Sequence, residues 1–111
     1  MTPKPRPTNL VTEEQFLQAV KELAQLQGWL VYHTRDSRGS DQGFPDLTLG
    51  RDGLLIFAEL KAGKKGYREK QVAWATVLAK VSGLTDGRVK YFLWRPEHWD
   101  QIERALERWA G

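Results

Sequence analysis

Cysteine is absent from this 111-residue sequence, which removes disulfides and thiolate metal sites from consideration. No apolar run approaches the roughly 18 residues that a membrane span requires, so insertion into a bilayer is excluded. The first ten residues lack the apolar core of a signal peptide, and a cytoplasmic, reduced setting is the expectation. Internal repeats and low-complexity tracts are missing, and a chain of this length is expected to form one domain. Charge of neither sign dominates. Lys and Arg number 17 against 14 Asp and Glu, and the net charge of +3 permits a polyanionic partner without requiring one. What remains, 41% hydrophobic and 28% charged residues, is the composition of a water-soluble globular domain.

Residues 1–9 carry Pro3, Pro5 and Pro7 among Lys4 and Arg6, a pattern that forms neither a helix nor a central strand and reads as a flexible basic arm ahead of a domain over 10–111. Thr12 with Gln15 is a capping-box pattern. Phe16, Ala19, Val20, Leu23 and Leu26 then recur at helical spacing until Gly28. Trp29 to Thr34 reads as a strand, and the polar segment from Arg35 to Pro45 as a loop. Asp46 to Gly50 and Leu54 to Lys61 are strand-like runs around Arg51-Asp52-Gly53, and an Asp-Gly pair between apolar runs signals a hairpin. After a loop over Ala62 to Tyr67, the residues Val72, Trp74, Ala75, Leu78, Ala79 and Val81 describe a largely apolar helix that stops near Gly83. Arg88 to Trp94 is a fourth strand, and Pro96 begins an amphipathic helix through Trp99, Ile102, Leu106 and Trp109. The order is αβββαβα. An α/β fold follows, with a mixed four-stranded sheet, a parallel crossover from the third strand to the fourth, and helices packed on the sheet.

If Asp52-Gly53 is a two-residue turn, Arg51 faces Leu54, and counting outward pairs Gly50 with Leu55, Thr48 with Phe57 and Asp46 with Glu59. Opposed residues of antiparallel strands have Cβ atoms about 4.5–5.5 Å apart, where like charges are destabilising unless something positive lies between them. Lys61 projects from the same face as Glu59. The lysine alone can neutralise part of the repulsion. Two oxygen donors at this separation can also hold a hard divalent cation such as Mg²⁺, which is the sharper reading. A three-residue loop would shift the register by one and put the side chains on opposite faces unless a bulge restored it. On the first helix, at about 100° per residue, Glu13 lies near the apolar stripe and Glu14 points away. Glu13 is therefore the better inward carboxylate, although an acidic residue in a first turn also serves the helix dipole.

Taken in order, Gly43-Phe44-Pro45-Asp46-Leu47, Glu59-Leu60-Lys61 and Gln71 with Trp74 resemble the VRR-NUC domain of the PD-(D/E)xK nuclease superfamily. The resemblance runs from Thr12-Glu13 through Gly28-Trp29 and Tyr32-His33 to Trp94-Arg95-Pro96. It implies an αβββαβ core. It implies further that Asp46, Glu59 and the main-chain carbonyl of Leu60 hold Mg²⁺ or Mn²⁺, that Lys61 orients or helps deprotonate the attacking water, and that Glu13 and Gln71 complete the site. Products with 5′-phosphate and 3′-hydroxyl ends belong to the same implication. So does a homodimer acting on branched DNA, in the manner of a Holliday-junction resolvase.

Arg35, Arg38, Lys64, Lys65 and Arg68 lie in the loops flanking the expected site, where they can contact DNA phosphates without reading sequence or can simply be solvated. His33, at a strand end, is read as structural. The five tryptophans fall in expected elements and are read as core or interface, with Trp99 and Trp109 available to a dimer. Alternatives to a structure-selective DNA endonuclease are a non-catalytic DNA-binding module on the same fold, the nuclease subunit of a larger repair or restriction system acting on flaps or duplex, and a small assembly factor without metal or DNA affinity.

Overall fold

The computed structural model describes residues 12–35, 41–63 and 66–107. The arm read over residues 1–9, together with Arg38, Lys64, Lys65 and Trp109, lies outside them. Thr12 Oγ1 accepts a hydrogen bond from Gln15 N, and Gln15 Oε1 accepts one from Thr12 N, both at 3.1 Å. Helix α1 (Glu13–Leu26) therefore starts where the capping pattern puts it. Phe16, Val20 and Ala24 form its buried stripe. Leu26, assigned to that stripe from spacing, is instead 82% exposed, because it sits at the stripe's angular margin in the last turn of the helix.

Strands β1 (Leu30–His33), β2 (Leu47–Arg51), β3 (Leu54–Leu60) and β4 (Val89–Trp94) form one sheet in the order β1-β2-β3-β4. The first two pairings are antiparallel and the third is parallel. Asp52 and Gly53 both take positive φ, 49° and 80°, the geometry of a type I′ hairpin turn, whose twist matches that of its strands. The consequent register sets Arg51 against Leu54, Gly50 against Leu55 and Thr48 against Phe57, as counted from the turn.

Helix α2 (Glu69–Leu84) connects β3 to β4. It starts before the apolar stretch and ends at Leu84, beside Gly83 where the sequence suggested a stop. The chain then turns at Asp86 and Gly87, which have φ of 52° and 76°, and Gly87 N donates to Ser82 O at 3.1 Å. A 3₁₀ turn over Pro96–His98 precedes helix α3 (Trp99–Leu106), which is shorter than the helix read from Pro96 onward. Trp99 is partly buried and packs against the core, one of the two places the sequence reading allowed it.

One face of the sheet carries Leu47, Leu49, Ile56, Ala58, Leu60 and Trp94, and it packs against Phe16, Val20 and Ala24 of α1 and Ile102 and Leu106 of α3. Among the described residues no helix is long and apolar enough to cross a membrane.

Arg51 closes this layer. Its Nη1 donates to Gln27 O at 2.8 Å and to Leu106 O at 3.0 Å, and its Nη2 donates to Glu107 O at 3.0 Å. The guanidinium also lies 4.3 Å from the ring centroid of Trp29, whose indole N–H donates to Leu106 O. One cation thus satisfies the carbonyl ends of two helices, where positive charge is favoured. Arg51→Ala is expected to lower the unfolding free energy by about 3 kcal/mol, because charge-assisted bonds to three main-chain carbonyls and a cation–π contact are lost together. Urea denaturation should show the midpoint falling with the slope unchanged.

Candidate active site

The site sits at the end of the sheet where β3 finishes and α2 begins. Thr34 N donates to Asp46 O, and Thr34 Oγ1 donates to Pro45 O, both at 2.8 Å. These bonds carry the β1–β2 pairing one step beyond Leu47. Leu47 stands opposite Ala58, so the next step sets Asp46 against Glu59. The carboxylate of Asp46 is fixed from the far side as well, its Oδ2 accepting from Leu60 N at 2.8 Å.

Gly43 explains the segment before Asp46. Its φ is +95°, and a Cβ placed there would lie 2.6 Å from main-chain atoms of Lys70, so the loop crosses the first turn of α2 at a distance only glycine permits. Phe44 then inserts edge-on between Phe57 and Trp74, with ring centroids at 5.7 and 4.8 Å. Pro45 is fully buried. The run Gly43-Phe44-Pro45-Asp46 is a close crossing, an aromatic anchor, a packed ring and a carboxylate.

Glu59 and Lys61 are 2% and 6% exposed, and neither is among the residues that line the adjoining cleft. Burial first, then the charge of Asp46 and a hydrogen bond to it, push the Glu59 carboxyl up to about 8, with Glu13 adding to the rise and Lys61 opposing it. Lys61 Nζ is 4.0 Å from Glu59 Oε2 and donates to Gln71 Oε1 at 2.9 Å. Gln71 Oε1 also accepts from Arg68 N at 2.9 Å, so the glutamine both caps α2 and holds the lysine. Glu59 Oε1 is buried and has no hydrogen-bond partner among the described residues. An unsatisfied buried carboxylate oxygen destabilises the fold and calls for an explanation.

The cleft above has a volume of about 700 Å³ and is walled by the start of α1, by His33 to Arg35, by the loop ending at Asp46 and by the first turn of α2. Glu13 and Glu14 both line it, Glu14 as the more exposed of the two. Glu13 Oε1 accepts from Ala62 N at 3.4 Å. Among the described residues no group of three or more His, Cys, Asp or Glu side chains is arranged to hold a metal ion. Asp46 and Glu59 come together as expected, whereas Glu13 is engaged at Ala62 and does not join them as a third ligand. Leu60 lines the cleft, and its side chain belongs to the core, so its main chain is the part with chemistry to offer.

Arg35 and Arg68 line the cleft, as does Lys70, which sequence reasoning missed. His33, set aside from the sequence, is in the wall too. Its imidazole pKa is lowered, by burial first and then by Lys21, with Asp46 opposing. Tyr91 was also missed. Its hydroxyl lies 2.9 Å from that of Tyr67, and its pKa is raised by burial first, then by Tyr67, with Glu59 and Asp46 contributing. Tyr91 stands opposite Phe57, in a parallel register that no turn allows one to count.

No family model, curated protein or solved structure matches this chain.

Proposed function

We propose that the protein is a metal-dependent DNA endonuclease of the PD-(D/E)xK type, hydrolysing phosphodiester bonds. The observation that carries this reading is the buried Asp46–Glu59 pair, with one carboxylate oxygen unpartnered and an ammonium group held beside it. Two acidic side chains and an orphaned oxygen fit a small hard cation, which would relieve both the repulsion and the missing bond. Asp46, Glu59 and the carbonyl of Leu60 would hold Mg²⁺ or Mn²⁺. When bound, such an ion polarises the scissile phosphate and lowers the pKa of a water.

Lys61 supplies positive charge where the phosphate gains negative charge, and it orients the attacking water. Gln71 keeps the ammonium in place by accepting one of its protons. Arg35, Arg68 and Lys70 contact backbone phosphates and seat the strand in the cleft without reading bases. Water oxygen bonds to phosphorus, the bond from phosphorus to the 3′ oxygen breaks, and the leaving oxygen takes a proton to give a 3′-hydroxyl opposite a 5′-phosphate. The preference for branched DNA, with a four-way junction as the leading substrate, rests on the family resemblance of the motifs.

The test compares wild type with Lys61→Ala and Asp46→Asn on a labelled four-way junction, a 5′ flap and plain duplex, in Mg²⁺ or EDTA. Wild type is expected to cut the junction in Mg²⁺ alone, and each variant to fall by about 10²–10³-fold, the scale of losing one electrostatic stabiliser. A wild type that binds DNA but cuts no substrate in Mg²⁺ or Mn²⁺ removes the catalytic reading and leaves a DNA-binding module.

A further inference from the structure

Tyr91 shares a face of the sheet with Glu59 and Lys61. Its partner across the strands is Phe57, and alternation along β3 and its continuation sets Phe57, Glu59 and Lys61 on one side. Helix α2 packs on β4. The phenol of Tyr91 is half-buried, a setting in which a hydroxyl needs a hydrogen-bond partner. Tyr67 supplies it, with Oη to Oη at 2.9 Å, and itself stays 40% exposed. Burial, Tyr67 and the charges of Glu59 and Asp46 all raise the Tyr91 pKa, so the bond keeps its proton through the neutral range.

What the pair fixes is the entrance to α2. Between Lys61 and the N-cap residue Arg68 the chain passes Gly63 and Gly66, where an added Cβ would meet nothing within 4 Å. Packing around those two residues therefore does not set where the cap lies. Arg95 Nη1 donates to Gly63 O at 3.2 Å and ties the start of this stretch. Tyr67 ties its end, one residue before the cap. Arg68 N and Lys61 Nζ both donate to Gln71 Oε1 at 2.9 Å, and two donors fill the two lone pairs of that oxygen. The cap thus decides where the oxygen stands, and the oxygen holds the ammonium 4.0 Å from Glu59 Oε2. The circuit closes through the sheet, because Lys61 N donates to Trp94 O at 3.0 Å, on the strand that carries Tyr91.

We infer that Tyr91 and Tyr67 are positioning residues for Lys61, a brace from β4 to the α2 cap that sets where Gln71 Oε1 stands and so where the ammonium meets the phosphate. The phosphate rests on the nuclease reading; the brace itself rests on the hydrogen bonds alone. Neither tyrosine lines the cleft, whereas Arg68 and Gln71 do. The pair therefore acts through the cap and the glutamine rather than on the DNA strand.

Acylation of the full chain by an amine-reactive ester, read lysine by lysine by mass spectrometry without metal or DNA, tests the brace directly. Tyr91→Phe and Tyr67→Phe keep the rings and remove the hydroxyl pair. Lys61, 6% exposed in wild type, is expected to label about tenfold faster in either variant, the scale of one lost hydrogen bond. Exposed Lys80 should label at an unchanged rate. The double variant should label Lys61 no faster than the single ones, because both remove the same bond, whereas a general loosening of the fold would add. On the four-way junction each variant should lose about tenfold in kcat at unchanged KM. Tyr32→Phe, which removes an exposed hydroxyl elsewhere on the sheet, should cut as wild type does. A Lys61 that stays protected in both variants overturns the inference, as does a double variant whose effects add, or a rise in KM at constant kcat. Labelling needs no cleavage, so a wild type that cuts nothing removes the nuclease reading and leaves the brace to be decided by Lys61 alone.

Discussion

Glu59→Gln is expected to leave the protein more stable than wild type in the absence of metal and inactive as a nuclease in its presence. The side chain keeps its size, loses its charge, and gains an amide that can donate to the Asp46 carboxylate. Burial and Asp46 raise the Glu59 carboxyl from 4.5 to about 8. Between those values the folded state keeps a proton that the unfolded state has released. Stability is therefore full below pH about 4.5 and declines as pH rises toward about 8. A shift of that size corresponds to a few kcal/mol. Thermal unfolding in EDTA should show this decline in wild type and a flatter profile in the variant, with the largest difference at and above pH 8.

Metal reverses the sign. A cation competes with the proton for Glu59, so its apparent affinity should increase with pH up to about 8. Mn²⁺ should raise the melting temperature of wild type and have little effect on Glu59→Gln. A variant that melts below wild type in EDTA at pH 8, or that keeps the Mn²⁺ response, would show that the pair is not the strained element described above. Exchanging stability for a site of this kind is a common arrangement in enzymes.

Gly43→Ala should be the most damaging change outside the charged residues. Two faults coincide there, a φ of +95° and a Cβ only 2.6 Å from the backbone of Lys70. The first alone costs about 1–3 kcal/mol. The second moves either the loop or the first turn of α2, and with them Asp46 or Gln71. A displacement of about 1 Å at reacting groups can cost 10²-fold in rate, and a loss of that size is the expected result for junction cutting. Gly53→Ala separates the two faults, because Gly53 also has positive φ, +80°, but an added Cβ there meets nothing within 4 Å. It should lose some stability and keep its cleavage rate. Equal loss of activity in both variants would mean that the close crossing at Lys70 does not matter.

The hairpin was readable in the sequence because Asp52-Gly53 fixes a turn type, and the turn fixes every pairing outward to Asp46 and Glu59. Thr12 and Gln15 fixed the start of α1 for a similar reason, since both halves of the capping box are local. The parallel pairing of β3 with β4 offers no such origin for counting, because a helix lies between the strands, and Tyr91 stayed hidden for that reason. Gly43 was noticed as part of a motif, but its partner Lys70 is brought to it only by the docking of α2. Glu13 was turned inward correctly by angle. Its attachment to Ala62 depends on how far α1 lies from the end of β3, which periodicity does not report.

The strand order has a kinetic consequence. Strands that neighbour one another in the sheet also neighbour one another in the chain, so β2 and β3 can zip together across their two-residue turn and β1 can add across residues 34–46, while β4 waits for α2. A long closure is the bond from the Trp29 indole to Leu106 O, across 77 residues, and Arg51 seals the same junction. Folding thus lays down the carboxylate pair early, through the hairpin, and tethers Lys61 only when α2 docks. The clasp between Trp29 and α3 closes over a sheet that already exists, and opening at that end leaves the hairpin and its two carboxylates in register.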